Sequence, residues 1–120
     1  MGDRASVLVV DDDDAIRDVI ADLLRDEGYG VICAENGLRA LEALQGKDRP
    51  DVVLLDLMMP VMSGWEVLEQ IQASDQLSQI PVVVVSAMNA PGAREHLAKP
   101  IDLERLLATV GRLTVGRLTR

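Results

Sequence analysis

The chain has no phenylalanine and only one each of tryptophan, tyrosine, histidine and cysteine in its 120 residues. A single thiol, Cys33, excludes an internal disulfide framework. It stands in the apolar stretch Val31-Ile32-Cys33-Ala34 and reads as a buried strand residue rather than a redox centre. The lone histidine, His96, has no cysteine beside it, which excludes a zinc site built on nitrogen and sulfur. Positive charge is scarce as well: Lys and Arg number 12 against 20 Asp and Glu, giving a net charge of −8. That balance argues against non-specific nucleic-acid binding, which needs a basic surface. No apolar stretch is long enough to span a bilayer, so no membrane role is expected. An aspartate cluster begins at Asp11, too early for a secretory leader, and a soluble, cytoplasmic protein is expected. No Gly-x-Gly-x-x-Gly and no P-loop follows a strand, so a nucleotide-binding Rossmann domain fails. The scarcity of aromatics carries no functional reading.

What is present is a set of short valine-rich runs that end on reactive side chains. Val7-Leu8-Val9-Val10 runs into Asp11-Asp12, Val52-Val53-Leu54-Leu55 into Asp56, and Val82-Val83-Val84-Val85 into Ser86. Continuous apolar runs separated by helical segments read as parallel strands buried on both faces. The carboxyl ends of such strands share one edge of the sheet, where ligands bind in open α/β folds. Carboxylates, a hydroxyl and the ammonium of Lys99 are therefore expected to converge there.

Between the runs the apolar spacing becomes helical. Ile16, Val19, Ile20, Leu23 and Leu24 form a stripe between Asp14 and Glu27, ended by Gly28. Gly30 to Ala34 reads as a second strand, and Asn36-Gly37 opens a helix with Leu38, Leu41 and Leu44 inward. Trp65 to Ala73 gives a helix burying Val67, Leu68 and Ile71. The last helix starts after Asp102, an N-cap, and turns Leu103, Leu106, Leu107 and Val110 inward. The alternation predicts an α/β domain over 1–120 with right-handed crossovers. A pentapeptide, Val110-Gly-Arg-Leu-Thr114, recurs as residues 115–119. It is too short for a solenoid and reads as a local duplication within a helix or tail.

Asp11, Asp12 and Asp56 would bring up to three like charges together, which raises their pKa values unless a cation intervenes. An all-oxygen donor set suits Mg²⁺ or Mn²⁺. Such a cation commonly completes its shell with phosphate oxygen, and Asp56 is a competent nucleophile toward a phosphoryl group. A haloacid-dehalogenase-type phosphatase would need a second acid two residues after its nucleophile, and Met58 stands there.

Asp11-Asp12, Asp56-Leu57-Met58-Met59-Pro60 with Gly64, Ser86-Ala87 and Lys99-Pro100, in this order, resemble the receiver domain of two-component response regulators. The resemblance implies a flavodoxin-like, doubly wound five-stranded parallel sheet of order 2-1-3-4-5. It implies that Asp56 is the phosphoacceptor, and that Asp12 binds Mg²⁺ directly and Asp11 chiefly through water. The backbone carbonyl of Met58 would be a further ligand. Ser86 would bond the phosphoryl group and move toward it on activation, with Lys99 paired to it. A histidine kinase or phosphotransfer protein would be the donor and an unidentified protein the downstream partner. The domain would not be a turnover enzyme. The alternative is a pseudo-receiver that binds partners without phosphorylation.

The interval from Ser86 to Lys99 is short for the family, which places a whole helix there; only Ala87 to Pro91 remain before Gly92. The fourth helix is thus expected to be missing or reduced to a loop. The flank so exposed would be covered by a partner, by a homodimer or by exchange of the C-terminal segment. His96 takes the place of an aromatic switch residue, and it either switches or simply sits at a strand end. Met58 and Met88 cannot orient a water; they either slow dephosphorylation or merely pack at the rim.

Overall fold

The structure, a computed structural model, describes residues 4–88, 90 and 92–118. Five strands form one parallel sheet: β1 (Ser6–Val10), β2 (Gly30–Ala34), β3 (Val52–Leu55), β4 (Val82–Val85) and β5 (Glu95–Leu97). Their spatial order is β2-β1-β3-β4-β5, as the resemblance implied. Four helices connect or follow them: α1 (Asp14–Asp26), α2 (Gly37–Leu44), α3 (Gly64–Gln72) and α4 (Leu103–Leu118). A 3₁₀ turn spans Leu77–Gln79. Side-chain oxygens start the helices. Asp13 accepts from the amides of Ala15 and Ile16, Asn36 from Arg39, Ser63 from Glu66 and Asp102 from Arg105.

The strand pleat sorts apolar side chains into two layers. Leu8, Val10, Val53, Leu55 and Val84 join Ala40, Leu44, Val67 and Ile71 of α2 and α3. Val7, Val9, Leu54, Val83 and Val85 join Ile20, Leu24, Leu106 and Val110 of α1 and α4. β3 and β4 are buried along their whole length, which is why their sequences do not alternate. β2 behaves differently because it pairs with β1 on one side only. Cys33 on this edge strand is exposed, correcting the expectation of a buried thiol.

Three residues of the anticipated stripes lie on helix shoulders instead: Val19, Leu38 and Leu103 are exposed. The deepest positions of α1 and α2 include Ala21 and Ala40, whose small side chains let the helices approach the sheet closely. Helical period fixes the width of an apolar stripe but not its centre.

No helix occurs between β4 and β5 among the described residues. The preceding strand is nevertheless buried there. Val82 and Val84 are buried in one cluster with Leu77 and Ala90, against which Ile80 and Ala93 pack. In α4 the duplicated pentapeptide continues the helix. Five residues advance a helix by about 500°, so the second copy is rotated by about 140°. Val110 is buried and Val115 is exposed. Thr119 lies outside the described residues.

One backbone position is strained. Val61 has φ 73°, a left-handed conformation that a β-branched side chain rarely adopts, and its side chain is solvent-exposed. Asparagine tolerates this region far better. Val61→Asn is expected to stabilise the fold by about 1 kcal/mol, read as a higher urea midpoint at unchanged slope.

Candidate functional site

The site is assembled at the carboxyl edge of the sheet by the ends of four strands. Asp11 follows β1 and is buried; Asp12, beside it, is exposed. Asp56 follows β3 and Ser86 follows β4, both buried. Lys99 lies just past β5. Its Nζ stands 3.3 Å from Asp11 Oδ2 and 3.5 Å from Asp56 Oδ2. The other oxygen of each acid is held by backbone: Asp13 N–H donates to Asp11 Oδ1 at 2.9 Å, and Met58 N–H to Asp56 Oδ1 at 3.3 Å. One ammonium thus faces two buried carboxylates.

Burial pushes the Asp56 carboxyl above the usual carboxylate range, and the negative charge of Asp11 adds to this. Lys99 and the Met58 amide oppose the shift without cancelling it. Burial works against the Lys99 ammonium, but Asp11 and Asp56 more than offset it, so its pKa lies above the ordinary lysine value. Asp11, Asp12 and Asp56 each offer an oxygen, and the three lie within 4.8 Å of one another. With no nitrogen or sulfur donor among them, this set fits a hard divalent cation of the Mg²⁺ type.

Ser86 Oγ is only loosely engaged, accepting from Met88 N–H at 3.4 Å. His96 is joined to the same segment: its Nε2 lies 2.9 Å from the carbonyl oxygen of Ser86. A carbonyl only accepts, so the ring donates from Nε2. Met58 and Met88, two residues after Asp56 and Ser86, are exposed. Beside Lys99 an open groove of about 680 Å³ runs between Ile16, Val19 and Ile20 of α1 and Pro100, Ile101 and Leu103 before and within α4. The two shoulder residues, Val19 and Leu103, line it.

Two residues that sequence reading passed over shape the site. Gly64, noted there only as part of a motif, lets α3 start against the backbone of Asp56. A Cβ built on it would lie 2.1 Å from the Asp56 carbonyl oxygen. Arg17 reaches back from α1 and donates to the carbonyl of Asp11 at 2.8 Å. The signal for Arg17 was its place: a cation near the start of a helix opposes the helix dipole and needs a local reason.

A parallel sheet of this order, with acids and a lysine gathered at its carboxyl edge, defines a flavodoxin-like α/β domain. The chain belongs to the response regulator receiver domain family, which matches residues 7–111, and is a receiver domain of two-component signalling. It is 34% identical over 121 aligned positions to Protein PilH of Pseudomonas aeruginosa, covering 93% of this chain and 99% of that protein. It is 37% identical over 116 positions to the two-component response regulator ORR11 of rice, covering 87% of this chain and 79% of that one. Among solved structures it resembles the chemotaxis response regulator CheY4 of Vibrio cholerae. The TM-score is 0.83 at 35% identity, over 92% of this chain and 98% of that one.

Proposed function

We propose that Asp56 accepts a phosphoryl group from a phosphohistidine on a histidine kinase or phosphotransfer protein, in a site that also holds Mg²⁺. The observation that carries this reading is the pairing of one lysine with two buried carboxylates beside a third, exposed one. Such a cluster is costly to bury unless it serves a ligand. A carboxylate oxygen of Asp56 attacks phosphorus, the phosphorus–nitrogen bond of the donor breaks, and the leaving imidazole keeps the electron pair and takes a proton. The product is an acyl phosphate on Asp56.

Asp11, Asp12 and Asp56, with the Met58 carbonyl, would hold Mg²⁺, which offsets charge on the phosphoryl oxygens when bound. Lys99 exchanges its carboxylate contacts for a phosphoryl oxygen, and the Ser86 hydroxyl rotates to donate to another. The groove beside Lys99 takes an apolar helix of the donor, because it is lined by the lysine that pairs with Asp56 and exposes Val19 and Leu103. Output is a shift between two conformations with different affinity for a downstream protein.

Intact mass after incubation with Mg²⁺ and acetyl phosphate tests the reading. One phosphoryl adduct is expected, absent in Asp56→Asn. No adduct on folded protein would leave the pseudo-receiver, which binds partners unphosphorylated.

A further inference from the structure

We propose that Arg17 is a positioning residue for the cation-binding loop, setting the place of Asp12 without touching the cation itself. The proposal rests on the metal reading above. Asp12 is the exposed member of the acid cluster, and its own side chain makes no hydrogen bond among the described residues. Its position is therefore set by its neighbours. On one side the Asp11 amide donates to the carbonyl of Ala34 at 3.2 Å, and the Asp11 carbonyl accepts from Arg17 Nη1 at 2.8 Å. On the other side Asp13 N–H is tied to Asp11 Oδ1, and the Asp13 carboxylate caps α1.

The Asp11 carbonyl belongs to the peptide unit that carries the Asp12 amide. Because that unit is planar, fixing its oxygen fixes the direction in which the chain enters Asp12. Arg17 is suited to this hold. Its side chain is only 15% exposed, and its other terminal nitrogen, Nη2, meets Asp14 Oδ1 at 2.5 Å. The planar guanidinium fixes the two directions relative to each other, which a lysine ammonium on a flexible stem does not do.

Charge alone makes the opposite prediction. A cation bonded to the backbone of the acid loop competes with a metal bound there, so deleting it should tighten metal binding. Positioning predicts that deletion weakens it. The sign of the effect therefore separates the two.

Calorimetric titration of Mg²⁺ into the parent, Arg17→Met and Arg17→Lys decides the matter, with urea midpoints confirming that each variant is folded. Arg17→Met is expected to weaken Mg²⁺ binding about tenfold, the usual scale for groups that orient a metal ligand. Arg17→Lys is expected to weaken it by a smaller factor although the charge is kept. Equal or tighter binding by Arg17→Met, or parental affinity in Arg17→Lys, overturns the proposal. If Arg17→Met does not fold, the lysine variant decides alone. A parent that binds no Mg²⁺ overturns the metal reading and this proposal with it, and is recognised because all three proteins then give flat titrations.

Discussion

Gly64→Ala is expected to destabilise the protein by about 3 kcal/mol, the upper end for overpacking, a large share of the stability of a domain this size. The added methyl would stand 2.1 Å from the Asp56 carbonyl oxygen and 2.7 Å from the Leu57 Cα, both backbone atoms. Backbone at the end of a buried central strand has nowhere to go. Gly64 N–H also donates to the Leu57 carbonyl at 2.9 Å, so the first residue of α3 is tied to the peptide next to the one the methyl would push away. Gly37→Ala is the appropriate comparison. Its methyl would approach Met62 and Val67 side chains at 2.8 Å, and side chains can shift. Urea melts of the two variants should differ by about 2 kcal/mol, since overpacking against movable side chains sits nearer 1 kcal/mol. Equal midpoints would mean that α3 slides on β3 more freely than the contacts indicate. Because the clash is with the peptide of Asp56, the proposed phosphoacceptor, any Gly64→Ala protein that folds should also phosphorylate poorly.

Asp56→Asn is expected to be more stable than the parent at neutral pH, by about 1–2 kcal/mol for relief of a buried like-charge pair. Asp56 has a folded pKa above its unfolded value of 3.8. Ionising it therefore destabilises the fold. That loss is complete above the folded pKa, shrinks as pH falls through it, and is absent below 3.8. The advantage of Asp56→Asn should accordingly fade on acidification. Lys99→Met should act in the opposite sense. It strands Asp11 and Asp56 without their cation, at a cost of about 2 kcal/mol at pH 7. Much of that cost should vanish in the Asp56→Asn background, where only one buried charge is left. Urea midpoints of the two single variants and the double variant, at pH 7 and pH 4, check both statements. A destabilised Asp56→Asn at pH 7 would show that Lys99 already balances the pair in full.

The sheet and its acidic edge were legible because they are written in continuous runs. Val7 to Val10, Val52 to Leu55 and Val82 to Val85 each announce a buried strand, and each is followed directly by the side chain that the strand delivers. The absent helix was legible as a shortage of residues between Ser86 and Lys99. Cys33 was misjudged because nothing within Val31 to Ala34 says that β2 lies at the edge; that depends on which strands pair. Val19 and Leu38 carry the right period on the wrong side of the stripe, since Ala21 and Ala40 take the close approaches, while Leu103 is exposed as the first residue of α4. Arg17 had a readable partner in Asp14, three residues back, but not in Asp11. Its main contact is a backbone carbonyl, and every residue has one.

The duplicated pentapeptide of α4 amounts to an internal control. Two copies of one five-residue string share every intrinsic preference for helix, and both are helical as far as residue 118. Yet Val110 is 0% exposed and Val115 is 56% exposed. Composition is held constant, so the difference in burial is owed to placement, about 140° of angular phase and about 7.5 Å along the helix axis. Local preference settles that these residues coil; only the remainder of the chain settles which of them becomes interior.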